Sequence, residues 1–387
     1  MKLTYLNIFL KGKTCKSIYY RSFLLYSLAL LTIAFLWSAS KPAANTEDIV
    51  LKAEKLLFTP SGYYIADIID ERKERTAIAW IVPAPGASKQ SAGFQKLDLK
   101  GGGLTGLKQF IGQSIPSNKK LRPVIIRLKE CRMTETAGAQ GRVDGKVALN
   151  MAFYLKRNGE EVHILDYEGG AKYGRMSSQQ GVIEPVLRQS LSNALKYLNT
   201  WMEQQTDTNE KLATGIKVIF SEPEQIQTRD TVFYSPRRPL IWSDFKAIPN
   251  GKSQFAASVF PGFGYKGKTD VINGVIHLNL TMQVFMLQQG SWVKDAARNN
   301  YSLNHEQKHF DIVKVVAERF KKKIIPDSLT IEDYNSIIQY QYIESFREMN
   351  RMQEQYDGET QHGINKEAQA RWDKIIDIEL KNLGVKK

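Results

Sequence analysis

The chain has 387 residues, of which 42% are hydrophobic, 24% charged and 10% aromatic. That composition excludes a disordered or collagen-like chain, and the length predicts two folded domains at roughly 100–200 residues each. Two cysteines, Cys15 and Cys131, exclude a disulfide framework and a cysteine-rich zinc site, so a metal centre would have to draw on His and carboxylates.

The formal charge of +14 arises from 54 Lys and Arg against 40 Asp and Glu. Lys2, Lys11, Lys13, Lys16 and Arg21 place +5 in residues 1–40, which hold no acid. The remaining +9 is diffuse and is not interleaved with aromatics in a binding motif, so no nucleic-acid partner is expected. After the basic segment 1–21, residues 23–37 form one apolar run, FLLYSLALLTIAFLW, and SAS follows at 38–40. The span 22–40 therefore reads as a signal peptide or a membrane anchor. Its charge asymmetry predicts a cytoplasmic N-terminus and an extracytoplasmic remainder, in the periplasm or cell envelope, with residues 23–37 as the point of any membrane attachment.

Residues 41–202 read as an α/β domain. GGGLTG at 101–106 fits a dinucleotide-loop pattern, but Lys108 is misplaced for a phosphate loop, and a turn is the better reading. RPVIIRLKECRM (122–133) is a strand, and residues 152–167 form a hairpin around Asn158-Gly159. Ile183, Leu187, Leu191, Ala194, Leu198 and Trp201 recur at helical spacing. Residues 203–214, EQQTDTNEKLAT, have almost nothing to bury and read as a linker. In 215–387, Asn250-Gly251 and Asn273-Gly274 mark turns. Residues 275–286 put Leu278, Leu280, Met282, Val284 and Met286 on one strand face. Three helices follow. The second repeats Ile331, Tyr334, Ile338, Tyr342, Met349, Met352 and Tyr356 and is expected to stop at Asp357-Gly358. The third carries Trp372, Ile376 and Leu380.

HEQKH at 305–309 begins the first of these helices and fits His-Glu-x-x-His. On a helix, residues i and i+4 stand one above the other, so two imidazoles can grip one zinc ion while the adjoining Glu reaches its water. At roughly 100° per residue, His309 falls about 40° from His305. Ile312, Val313, Val316 and Phe320 fall between roughly −20° and 80°, so the His pair lies within the apolar stripe. Gln307, Asp311, Lys314, Glu318 and Lys322 take the opposite side, and Ser302 is placed at the N-cap. A third ligand must come from later segments: His362, Glu359, Glu344, Glu348 or Asp327. His362 is preferred because YDGETQHG (356–363) reads as a polar turn between helices. Tyr301 and Tyr356 flank the site as candidate oxyanion donors. His163, His277, Cys131 and Asp244 lack partners in sequence and read as structural.

HEQKHFDI resembles the zincin-type metallopeptidases. With IWSDF (241–245), GSWVK (290–294) and YDGETQHG followed by QARW (369–372), it is similar to a largely uncharacterised bacterial family described as predicted secreted zinc-dependent proteases. The resemblance covers roughly residues 220–385. It implies a zincin-like domain, with His305 and His309 as zinc ligands and Glu306 as general base. Residues 41–202 bear only a vague likeness to periplasmic α/β lipoprotein domains.

The expected fold is therefore α+β, with an α/β domain followed by a zincin-like domain at 215–387 comprising a small sheet, the HEQKH helix and two further helices. The expected activity is that of a hydrolase, a zinc (Zn2+) metallopeptidase with a protein or peptide substrate. Two alternatives stand beside it: an envelope binding or scaffold protein with a structural or inactive zinc site, and a zinc amidase acting on cell-wall material.

Overall fold

The computed structural model describes residues 48–85, 93–249 and 251–386. The basic segment 1–21, the signal or anchor at 22–40, Cys15 and Asn250 of the expected Asn250-Gly251 turn lie outside the described residues. Among the described residues, no helix is long and apolar enough to cross a membrane.

The fold is α+β. The first half contains strands β1 (Tyr63–Asp70), β2 (Ala79–Ile81) and β3 (Gln95–Leu97), helix α1 (Gly103–Ser114), strands β4 (Arg122–Ala137), β5 (Arg142–Arg157) and β6 (Glu160–Met176), and helix α2 (Ile183–Gln205). The sheet runs β3-β2-β4-β5-β6, with β1 parallel to β4 on the edge that β4 also shares with β2. Asn158 and Gly159 both take positive φ, 53° and 87°, and connect Arg157 to its partner Glu160, as the Asn-Gly pair predicts. Along β5, Val147, Leu149, Met151, Phe153 and Leu155 alternate onto one face and pack with Leu187, Leu191, Leu195 and Leu198 of α2.

Residues 203–214 differ from the expected linker. Helix α2 continues to Gln205, and a short turn at Glu210–Leu212 buries Leu212 completely in the first core. Their polarity conceals this because the main chain, not side chains, supplies the anchors. Arg157 donates to the carbonyls of Ala213 and Lys211 at 2.8 and 3.0 Å, and Arg122 donates to that of Leu212 at 3.2 Å. Residues Glu47–Lys387 form one compact unit that holds two sheet cores, with the change from one to the other at 212–213.

The second half contains β7 (Gly215–Ser221), β8 (Thr231–Phe233), β9 (Ala257–Ser258), β10 (Pro261–Ile272), β11 (Val275–Leu287) and β12 (Trp292–Val293), then α3 (Asn300–Lys323), α4 (Tyr334–Thr360) and α5 (Lys366–Asn382). Strand β11 is central. It pairs along its length with β10 across the Asn273-Gly274 turn, and on its other edge with β7 and then β8. A separate ribbon pairs β9 with β12.

Helix α3 is buried on nearly every side. Phe310, Val313, Val316 and Phe320 pack on the β10–β11 sheet, whereas Ile312 and Val315 meet Tyr356, Trp372, Ile376 and Leu380 of α4 and α5. The side expected to carry only polar residues is covered as well. Asp311 is fully buried, and Tyr234 and Gln307 donate to its Oδ1 at 3.0 and 2.8 Å. Lys308 bridges to Asp377 at 2.7 Å, and Lys386 to Asp311 at 3.0 Å. The N-cap is Asn299, whose side chain accepts from Ser302 N at 2.9 Å; Ser302, expected at the cap, lies inside the helix.

In the first half Arg175 and Glu135 form a fully buried ion pair at 2.6 Å, with Tyr173 donating to the same carboxylate at 2.7 Å. Removing one partner strands the other charge in a medium that cannot solvate it. Arg175→Met is therefore expected to cost about 3–5 kcal/mol, whereas replacing both partners by apolar residues should cost far less. Urea unfolding of the three proteins measures the difference.

Candidate metal centre

The second and third turns of α3 project His305 and His309 toward α4, and both are nearly buried, at 6% and 9% exposure. Each ring has a carboxamide behind it. His305 Nδ1 lies 2.9 Å from Gln369 Oε1, on α5. His309 Nδ1 meets Gln353 Oε1, on α4, while the amide nitrogen of Gln353 donates to the His309 carbonyl at 3.2 Å. With the Gln353 nitrogen so engaged, its oxygen accepts and Nδ1–H of His309 donates.

The Nε2 atoms of both rings converge on one carboxylate. Asp357 Oδ1 is 2.9 Å from His309 Nε2 and 3.3 Å from His305 Nε2. These three residues form a group whose ligand atoms all lie within 4.8 Å of one another. Tetrahedral zinc with bonds of about 2.0–2.1 Å sets neighbouring donors about 3.3 Å apart, near the two separations from Asp357 Oδ1, and the donor types suit that ion. Burial alone would raise the Asp357 carboxyl, but the hydrogen bonds and charge of the two imidazoles outweigh it and hold the group well below the usual carboxylate range. Burial would likewise lower His309, and its bond to Asp357 reverses the sign. His309, which thus holds its proton more firmly, gives that proton up when a metal is taken up.

Glu306 is oriented from the other side. Its Oε2 accepts from the main-chain N–H of Val259 at 2.8 Å, just past β9, and among the described residues no hydrogen bond claims Oε1. Burial raises its pKa, against the opposing effect of the nearby His309 and His305. A carboxylate held by one oxygen in a dry setting is a competent proton acceptor at the other. The third residue of the motif, Gln307, accepts from Leu240 N at 2.8 Å and so ties the helix to the IWSDF turn. In that turn Asp244 forms a bidentate pair with Arg238 at 2.6 Å, the structural part expected of it.

His362, preferred in sequence as third ligand, stands outside the converging group. Its Nδ1 is 3.4 Å from the other Asp357 oxygen, and its ring packs on Phe255 with centroids 4.5 Å apart. The other acids are occupied elsewhere: Glu359 by Trp372, Glu344 by Arg347, and Glu348 by Arg319 and Lys323, while Asp327 is exposed. Asp357 was missed because Asp357-Gly358 reads as a helix stop. Helix α4 instead runs to Thr360 and ends on three successive positive-φ residues, Gln361, His362 and Gly363. A single helical Gly costs only about 1 kcal/mol, which packing of the last turn offsets. Gln353 and Asp357 stand four apart, a spacing that would have signalled a shared face had the helix been extended.

The two tyrosines are committed elsewhere. Tyr301 donates to Gly363 O at 2.8 Å, and Tyr356, wholly buried, stacks on His305 and points its hydroxyl at the His305 carbonyl, 3.5 Å away. The set-aside features keep structural roles. The glycine run starts α1, whose Gly103 N–H donates to Asp98 Oδ2 at 2.9 Å, so an acid already holds the place a phosphate would need. His163 pairs with Asp166, and burial pushes the Cys131 thiol up to about 12.

No family model and no curated protein matches the chain. Among solved structures, protein XCC0632 from Xanthomonas campestris, of family model DUF330, is 11% identical and aligns over 40% of this chain and 94% of its own, with a TM-score of 0.25. A likeness at that score carries no argument about fold or chemistry.

The geometry makes a direct prediction for Asp357 against His362. After incubation with zinc, wild type and His362→Ala are expected to retain about one ion per chain and Asp357→Ala none. Metal analysis of the purified variants checks both, and the reverse pattern would restore His362 as the ligand.

Proposed function

We propose that the chain is an extracytoplasmic zinc-dependent peptidase, with His305, His309 and Asp357 holding the ion and Glu306 as general base. The observation that carries this reading is the pairing of a three-donor centre with an adjacent carboxylate that accepts at one oxygen and, among the described residues, keeps the other free. Among the described residues no fourth His, Cys, Asp or Glu joins the group, as a catalytic site with an open position requires and a closed structural site does not. The likeness of HEQKHFDI to zincin-type metallopeptidases supports the same reaction class, and the apolar run at 23–37 supports export.

The bound ion would supply a Lewis acid that polarises the scissile carbonyl and acidifies water. The chain's residues do the rest. Gln353 and Gln369 hold the imidazoles in place, and the Val259 N–H fixes the carboxylate of Glu306. That carboxylate accepts the proton of the attacking water at Oε1 and then passes it to the departing amine. Asp357, with its side chain 29% exposed, marks the side from which substrate reaches the centre.

Glu306→Gln keeps the size of the side chain and removes the base. It is expected to leave zinc bound and to lower hydrolysis of a casein-derived peptide mixture by at least about 100-fold. Parallel assays on peptidoglycan fragments separate a peptidase from an amidase. A Glu306→Gln protein that cleaves at the wild-type rate removes the mechanism.

A further inference from the structure

We infer that Gln353 and Gln369 are the positioning residues that fix which nitrogen of each histidine binds the metal, and that their neutrality sets the strength of the site. The inference rests on the metal-site reading above and deepens it. Each histidine could ligate through Nδ1 or Nε2, and the choice is made by the hydrogen bond at the other nitrogen. Here both Nδ1 atoms face a carboxamide oxygen, from two different helices, and both Nε2 atoms face Asp357. The arrangement is redundant in outcome and independent in origin, because Gln353 comes from α4 and Gln369 from α5.

Gln353 is positioned to hold rather than merely to fill, whereas the buried amide nitrogen of Gln369 finds no hydrogen-bond partner among the described residues. Gln353 grips the same residue twice, at the ring and at the main-chain carbonyl of His309. Gln369 is 1% exposed, and the ring of His305 is confined by Tyr356, stacked at 4.8 Å, and by Gly363, where a Cβ would stand 3.4 Å from Nδ1. Neither imidazole hands its proton to a carboxylate at Nδ1. Asp357 is then the one acid among the ligands and their direct supports, so zinc bound there keeps a net positive charge. A carboxylate at either orienting position would make its imidazole more basic and the metal more tightly held.

The test is a zinc competition titration of the full-length protein against a chromogenic chelator. It is run on wild type, Gln353→Met, Gln369→Met and Gln353→Glu, with long-range 1H–15N correlation spectra of the zinc-loaded wild type. Each Met variant keeps the bulk and loses the acceptor, and is expected to weaken zinc binding by 10- to 100-fold. Gln353→Glu is expected to bind zinc more tightly than wild type, and it decides the matter should a Met variant fail to fold. The spectra are expected to show the proton on Nδ1 of both rings. Met variants within twofold of wild type, a Gln353→Glu protein that binds less tightly, or ligation through Nδ1 would overturn the inference while leaving a zinc site in place. A wild type that takes up no zinc would overturn the metal-site reading with it.

Discussion

Two imidazoles and a carboxylate packed between three helices constrain the second half more than any other feature. Unpaired, such groups cost several kcal/mol to bury, so each polar atom has to find its partner from a helix that is also packing apolar side chains. The solution uses helical spacing twice. His305 and His309 stand four apart on α3, Gln353 and Asp357 four apart on α4, and the two pairs face one another. Between them Tyr356 fills the remaining space as a flat spacer, stacked on one ring and edge-on to the other. The polar centre thus fixes the register of α3 against α4, and the apolar contacts of Ile312 and Val315 with Trp372, Ile376 and Leu380 then follow.

The opposite side of α3 answers the same requirement by different means. Asp311, Lys308 and Lys314 are all buried, and each is matched by an opposite charge or a hydrogen-bonding group from elsewhere in the chain. A helix with apolar contacts above and below and ionic contacts on its flank has little freedom to rotate. That rigidity keeps the side chains converging on Asp357 in fixed positions, as any binding constellation held to within about half an ångström requires.

How much of this could be read from the sequence depended on whether the signal was local. The strand over 275–286, the Asn158-Gly159 and Asn273-Gly274 turns and the apolar phase of α3 are short-range patterns, and the structure bears them out. So is the His305–His309 spacing, and the structure turns both imidazoles toward Asp357. Asp357 was hidden by a local signal that tertiary packing overrode: Asp-Gly is a turn pair in isolation, but the last turn of α4 is held against α3 and α5. Polarity alone misread 203–214, where Leu212 and main-chain carbonyls supply the anchorage. The Gln353 and Gln369 contacts join residues 44 and 64 positions away from their histidines, and no periodicity reaches that far.

The first half has a mechanical part in this arrangement whatever else it does. Tyr334, the first residue of α4, hydrogen-bonds Glu210 in the segment between the two cores. Two residues earlier, Glu332 pairs with Arg157 at 2.6 Å, and the same guanidinium holds the carbonyls of Lys211 and Ala213. The N-terminal end of α4 is thus pinned to the end of the β5 hairpin. From Tyr334 to Gln353 the helix rises about 29 Å at 1.5 Å per residue, with Asp357 one turn further on. A helix anchored at one end on the first sheet and at the other on α3 behaves as a strut. The far end of that strut carries Gln353 and Asp357, two of the side chains that face the histidine pair.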